Sequence, residues 1–234
     1  MAELVKSAIG KLRGSLGDVV FRQRNGKVFV SQRPKSFMPG TDEKSVERRS
    51  KFAFCAKLSK AIYSIPELTV FWRQAAPQGR SVYHFILQTN MHLINPGTVT
   101  ELTTITPPQR KSMAGRVFDI ECTSCTISTN AVTVELAQPG NSAGIDSSRE
   151  LSAKLACVLC LTNPDDRSLP QYQFISCVSE STQLVPGSQL TFSIPLAGED
   201  ATKVGSYGDM KLLCAMVTLD SENKLMRYSG TLVK

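Results

Sequence analysis

The sequence predicts an α+β protein in which an N-terminal β-hairpin arm and a short helical cluster precede an antiparallel, Ig-like β-sandwich. Three observations support that class. Two strand-like runs flank Asn25-Gly26 in the stretch GSLGDVVFRQRNGKVFVSQRP, Gly14 to Pro34. Apolar residues then recur at helical spacing between Thr41 and Ile94, and seven strand-like runs separated by turn residues fill Arg116 to Val233. The expected divisions are residues 1–36 (basic arm and hairpin), 37–95 (helical segment), 96–115 (linker) and 116–234 (sandwich).

Asn-Gly is the strongest short-range hairpin signal, because both central residues of a type I′ turn need positive φ. A two-residue loop sets Arg24 opposite Lys27, Arg22 opposite Phe29, Phe21 opposite Val30 and Asp18 opposite Arg33. Val19, Phe21, Val28 and Val30 then share one face. Arg22, Arg24, Lys27 and Arg33 share the other with Val20, Phe29 and Ser31. An isolated hairpin buries too little surface to stand alone, so the apolar face is expected to dock, and its four residues form the predicted assembly interface. Met1 to Leu16 reads as a flexible or extended arm, since Gly10, Gly14 and Gly17 lack the spacing of a phosphate-binding loop.

Thr41 is the expected N-cap of a helix running to about Ser64, with Asp42 and Glu43 opposing the positive end of its dipole. Phe54, Leu58, Ala61, Ile62 and Ile65 fall on one stripe, the expected core face, while Arg48, Arg49 and Lys60 point elsewhere. Those charges read as a solvated face, with an anion-binding surface as the alternative. Pro66 suits the first turn of a second helix, capped by Ser64 and closed near Pro77. After Gly79, SVYHFILQTNMHLI reads as a third, with Tyr83, Ile86, Leu87, Met91 and Ile94 on one side, and Trp72 is the largest expected core residue of the cluster. Asn95 to Gly115 turns to Pro, Thr and Gly without helical periodicity and reads as a connection between domains.

The seven expected strands are Arg116 to Glu121, Ala131 to Leu136, Leu151 to Leu161, Tyr172 to Val178, Gln189 to Ile194, Lys211 to Leu219 and Lys224 to Val233. Val132, Val134 and Leu136, and Leu190, Phe192 and Ile194, alternate cleanly, which implies one wet face. Leu212 to Val217 is apolar throughout and is the expected central strand. Asn163-Pro164-Asp165-Asp166 and Asp220-Ser221-Glu222-Asn223 carry turn chemistry.

The formal net charge is +7, and its distribution is uneven. Met1 to Lys60 holds 14 Lys/Arg against 5 Asp/Glu, +9, which leaves −2 for the remainder. The basic quarter could meet a polyanion or the more acidic part of a neighbouring copy. MAELVKSAIGKLRG lacks the apolar core of a signal peptide, no stretch reaches the roughly 20 apolar residues of a membrane helix, and no Asn-X-Ser/Thr sequon occurs. These features lead us to expect a product made in the cytoplasm, without a membrane span. Seven cysteines, an odd number, fit reduced thiols better than a disulfide framework.

Gly14-Ser-Leu-Gly17-Asp-Val-Val20, the Asn25-Gly26-Lys27 turn, Arg33-Pro34, and Thr41 through Glu47-Arg48-Arg49 to Lys51-Phe52 resemble a family of uncharacterised bacteroidete proteins. Its members show a glycine-spaced N-terminal hairpin and a helix with an Arg-x-Lys-Phe-like segment before a β-rich C-terminal half. The resemblance covers about the first 95 residues and carries no catalytic residues with it. Similar hairpin-plus-helix segments also look like parts of phage and other self-assembling structural proteins, a likeness at the level of fold.

Cys122-Thr-Ser-Cys125 and Cys157-Val-Leu-Cys160, with 31 residues between them, have the composition of a four-thiolate zinc site. The second pair lies inside an expected strand, where residues three apart project to opposite faces, so buried structural thiols are the favoured reading over zinc. His84 and His92 lack any His-Glu-x-x-His or nucleophile context, and Asp165-Asp166 and Asp42-Glu43 sit in turn and cap positions. No catalytic residue, metal, cofactor or small-molecule substrate is therefore expected. Two functions remain: a structural subunit of a repetitive assembly such as a virion component, tube or filament, whose partners are other copies of itself or other structural proteins, or a nucleic-acid-binding protein. In the second, Arg22, Arg24, Lys27, Arg33, Arg48 and Arg49 would contact the polyanion.

Overall fold

A computed structural model of the chain describes residues 2–4, 14–24, 26–33, 36, 38–109, 113, 115–137, 145–185 and 187–234, with the side chains of 2–4 and 24 left aside. Asn25 of the expected turn, Pro34, most of the expected arm and parts of the expected linker lie outside the described residues. The protein mixes α and β structure, with four helices and several antiparallel sheets among the described residues. It divides into two compact units, Met1–Val46 and Glu47–Lys234.

The first unit is a four-stranded antiparallel sheet of β1 (Ala2–Leu4), β2 (Gly14–Leu16), β3 (Val19–Arg24) and β4 (Lys27–Gln32), in the order β1-β4-β3-β2. The β3–β4 register is the one the Asn-Gly spacing predicts: Arg24 faces Lys27, Arg22 faces Phe29 and Phe21 faces Val30. Gly26 takes the positive φ of 77° that such a turn needs, and Arg33 donates its amide to the Asp18 carbonyl.

The second unit starts from three helices, α1 (Glu43–Tyr63, its first residues counted with the other unit), α2 (Pro66–Ala75) and α3 (Val82–Asn90). The predicted stripe Phe54, Leu58, Ala61, Ile62 and Ile65 is buried, as is Trp72. The caps differ from expectation. Asp42 rather than Thr41 caps α1, since its carboxylate accepts the Ser45 amide at 3.0 Å and its carbonyl accepts the Val46 amide. Ser64 does not cap α2, because its hydroxyl donates to the Ala61 carbonyl at 2.7 Å and closes α1 instead.

Next come β5 (Ile94–Asn95) and β6 (Thr98–Val99), then β7 (Val117–Phe118), β8 (Cys122–Ile127), β9 (Ala131–Leu136), β10 (Ser152–Pro164), β11 (Tyr172–Val178), β12 (Thr182–Gln183) and β13 (Leu190–Pro195). A short helix α4 (Glu199–Gly205) leads to β14 (Tyr207–Leu219), β15 (Leu225–Ser229) and β16 (Leu232–Val233). One sheet runs β11-β10-β14-β15-β7, with β12 on β10 and β16 on β14; a second runs β13-β9-β8. All the pairings are antiparallel except β15 with β7, which is parallel.

Leu155–Leu161 of β10 and Leu212–Val217 of β14 are apolar throughout because both faces are covered there. Ala156, Val158, Cys160, Leu213, Ala215 and Val217 share one core with the three helices. Leu155, Cys157, Leu159, Leu212, Cys214 and Met216 share a second with Val132, Val134, Phe192 and Ile194 of the smaller sheet. Phe54 meets Tyr172 and Phe174 edge-on at 4.8 and 5.1 Å, and Lys154 pairs with Glu67 at 3.1 Å. The helices and the large sheet therefore form one body, not the helical segment set apart at 95/96 that the sequence suggests.

The described part of the expected linker is likewise built in. Val99, Thr103, Ile105, Thr106 and Met113 are buried, and the Ile105 carbonyl accepts the Trp72 indole N–H at 2.8 Å. Asn90 bonds the Thr104 backbone through both ends of its amide, and the Thr231 hydroxyl accepts the amides of Ile105 and Thr106. Side-chain hydroxyls and an amide satisfy a backbone that has no ladder, which lets a Pro- and Thr-rich segment enter a core.

Candidate assembly surface

The predicted interface residues Val19, Phe21, Val28 and Val30 are brought to one face of the N-terminal sheet by the β3–β4 register. Val28 is buried and the other three are half-buried. Val20, Phe29 and Ser31 on the opposite face are half-buried too, so the two faces differ less than the alternation alone implies. Among the described side chains of Met1–Val46, Val28 alone is buried.

The edges of the hairpin are partly covered by two short pieces of the segment that the sequence reads as a flexible or extended arm. Ala2, Glu3 and Leu4 pair with Val30, Phe29 and Val28, and Gly14, Ser15 and Leu16 with Phe21, Val20 and Val19. Gly17, at φ 56°, makes the reversal between β2 and β3. Three residues on each side protect less than a full strand, and Leu16 stays 74% exposed.

Of the predicted polyanion contacts, Arg22, Lys27 and Arg33 are exposed; the β3–β4 register puts Arg22 and Lys27 on one face, and Arg33 follows the end of β4. Arg48 and Arg49 are exposed on the first turns of α1 and are counted with the other unit.

The cysteines are all free thiols. Cys157 and Cys160 project to opposite faces of β10, one into each core, so this pair cannot close on one ion. Among the described residues no group of His, Cys, Asp and Glu is arranged to hold a metal. Burial pushes Cys160 up to about 12 and Cys125 to about 11. His84 and His92 are exposed. One open cavity of about 590 Å³ lies between α1 and β11, beside Lys57, Lys60, Tyr172 and Phe174; another of about 710 Å³ is lined by Arg116, Arg149, Asp220 and Lys224. No helix among the described residues is long and apolar enough to cross a membrane.

Sequence reasoning missed the flanking strands β1 and β2, which are too short to carry a periodic signal, and a row of thiols across β11, β10 and β14. Cys157 faces both Cys177 and Cys214 in those registers. That row becomes visible only once long-range pairing is known.

No protein-family model matches the chain, and no curated protein matches it. Solved structures similar to part of it include β-glucosidase from Kluyveromyces marxianus in complex with glucose, at 13% identity, over 50% of this chain and 14% of that one, with a TM-score of 0.22. A selenomethionine-labelled form of the same enzyme is similar at 12% identity and a TM-score of 0.21, over the same shares of the two chains. The chain thus spans about one seventh of the length of that enzyme, and likeness of this degree assigns neither fold nor activity.

Proposed function

We propose that the protein is a non-enzymatic structural subunit of a repetitive assembly, a virion component, tube or filament, built through its N-terminal sheet and with other copies of itself as partners. One observation carries this reading: Met1–Val46 is a compact unit of its own in which, among the described residues, a single side chain is buried. A sheet with half-buried Val19, Val20, Phe21, Phe29 and Val30 gains, for each such side chain that a neighbour covers completely, the remaining part of the about 1.5–3 kcal/mol that full burial is worth. Short flanking strands also leave main-chain groups at the sheet margins for strand addition. If the same sheet docks on a different patch of the next copy, the contact is heterologous and closes into a ring or grows into a filament. We read the two sheets of Glu47–Lys234 as the Ig-like sandwich that each copy would contribute to such a lattice. Its support is the core that the inward faces of both share.

The test is particle size by light scattering and electron microscopy at matched concentration. Full-length protein should form large particles that survive raised salt. Phe21→Asp should reduce them to monomers or small oligomers without changing the far-UV circular dichroism of the rest. A wild-type protein that stays monomeric at every salt and concentration sinks the reading.

The second reading, nucleic-acid binding by the basic ribbon, is favoured by the placement of Arg22 and Lys27 on one face. It predicts binding that weakens steeply with salt, and submicromolar sequence-selective binding at physiological ionic strength would put it first.

A further inference from the structure

Five of the seven cysteines line the core between the two sheets. Cys122, Cys157 and Cys214 are buried in it, and Cys125 and Cys177 are packed against it and half-buried. Three of them form a row across neighbouring strands, with Cys177 of β11 opposite Cys157 of β10, and Cys157 opposite Cys214 of β14.

The backbone hydrogen bonds tell the two contacts apart. Ser179 donates its amide to the Leu155 carbonyl, so the odd-numbered residues of β10 turn their main-chain groups toward β11. Cys157–Cys177 is therefore a hydrogen-bonded antiparallel pair, with Cα atoms about 5.5 Å apart, the separation most common in disulfides. Leu212 exchanges both its bonds with Lys234, so the even residues of β14 face away from β10. Cys157–Cys214 is then a non-hydrogen-bonded pair at about 4.5 Å with its side chains the closer of the two, also within the Cα range that disulfides span.

Access separates the thiols as well. Cys157 and Cys214 are fully buried, whereas Cys177 sits half-buried on β11, the outermost strand on its side of the sheet. We propose that Cys177 is a peroxide-reactive thiol and that Cys157 is its resolving partner, so that oxidation joins β10 to β11 through a Cys157–Cys177 disulfide. The chemistry begins with the Cys177 thiolate attacking hydrogen peroxide. An S–O bond forms as the O–O bond breaks, the sulfur is oxidised by two electrons to a sulfenic acid, and the displaced oxygen leaves as hydroxide. Cys157 then attacks the sulfenic sulfur. An S–S bond forms, the S–O bond breaks, and the hydroxyl leaves as water with the Cys157 proton. Reactivity follows thiolate character and exposure. The Cys157 thiol, hydrogen-bonded to Cys177, holds Cys177 below the ordinary thiol range, against burial and the Asp200 carboxylate, which both push it up. Burial pushes Cys157 well up, which suits a group that reacts second.

The experiment treats full-length native protein with one equivalent of hydrogen peroxide and maps the products by peptide mass spectrometry. A Cys157–Cys177 crosslink is expected from wild type, none from Cys177→Ser, and a dimedone-trapped sulfenic acid on Cys177 from Cys157→Ala. A second measurement needs no variant: in the untreated protein, iodoacetamide should alkylate Cys177 about tenfold faster than any other thiol. First modification at Cys125, a crosslink that omits Cys177, or sulfinic acid on wild-type Cys177 in place of the crosslink would each overturn the proposal.

Discussion

The N-terminal sheet and the β10–β14 pair share the same ladder chemistry and differ in what their faces meet. β3 and β4 pair over six residues in the register that their turn dictates, yet Val28 is their only buried side chain among the described residues. β10 and β14 pair over most of thirteen residues, with Leu155, Val158, Leu159, Leu212, Leu213 and Met216 fully buried between two cores. A backbone hydrogen bond contributes about 0.5–1.5 kcal/mol net, while a fully buried large apolar side chain contributes about 1.5–3 kcal/mol. The ladder sets the geometry of both sheets. Only the second obtains its stability from covered faces within its own unit.

The sharpest way to break that contrast is to compare the largest side chain in the core that β10 and β14 share with the helices with the largest interface residue of the N-terminal sheet. Trp72 is fully buried, meets Phe85 edge-on at 5.4 Å and donates to the Ile105 carbonyl. Trp72→Ala should cost about 3–5 kcal/mol in cavity and lost contacts, and more for the carbonyl left without its donor. Phe21→Ala, in a half-buried position of the other sheet, should leave the main unfolding transition within about 0.5 kcal/mol under monomeric conditions. Urea unfolding followed by Trp72 fluorescence for the second variant, and by far-UV circular dichroism for both, reads the difference. A large loss from Phe21→Ala would show that the N-terminal sheet is part of the cooperative core.

A smaller effect should come from the one deeply buried ion pair described in the larger unit. Arg227 reaches Glu150 at 3.3 Å, with side chains 15% and 3% exposed, and stacks over Phe118 at 5.3 Å. Arg227→Met removes the partner and leaves a carboxylate in a poorly hydrated place, an effect of about 3 kcal/mol. Glu150→Gln in the same background should recover much of it, because a neutral amide is cheaper to bury than an unpaired charge. Denaturation of the single and double variants measures this; equal stabilities would mean that the pair contributes nothing to the core.

The parts of this fold legible in the sequence are those with a local period. The stripe Phe54 to Ile65 follows from helical spacing, the β9 and β13 alternations from the pleat, and the hairpin register from two turn residues. β8 is invisible because Cys122-Thr-Ser-Cys125-Thr-Ile127 has a broken burial pattern, with a register shift between Cys122 and Ser124. The run Lys224 to Val233 divides at Gly230-Thr231: β15 ends on β7, where the Gly230 amide still bonds the Phe118 carbonyl, and Leu232 and Val233 pair separately with β14. The segment Thr103–Thr106 hides its burial because the hydroxyl of Thr231, distant in sequence, accepts the amides of Ile105 and Thr106. Similarly, the predicted interface residues follow from alternation, but the thiol row needs the β10–β11 and β10–β14 registers, which depend on the whole core.

The smallest predicted effect decides between two adjacent caps at the entrance to α1. Thr41 and Asp42 both have side chains able to cap, and sequence alone favours Thr41 because two acidic residues follow it. A true N-cap residue has a carbonyl that already accepts a helical bond and a side chain that accepts an early amide. Asp42 meets both conditions, with its carbonyl bonded by Val46 and its carboxylate by Ser45. Asp42→Ala should therefore cost about 1 kcal/mol, and Thr41→Ala less than about 0.5 kcal/mol. Asp42→Asn separates the two contributions of the carboxylate, since the amide oxygen still accepts the Ser45 bond while the charge facing the helix dipole is lost. Its cost should be about 0.3–1 kcal/mol at low ionic strength and should shrink with added salt. Hydrogen exchange at the Ser45 and Val46 amides gives the local reading, and denaturant unfolding the global one. Equal protection in the Asp42→Ala and Thr41→Ala proteins would remove Asp42 as the cap and return the role to the residue before it.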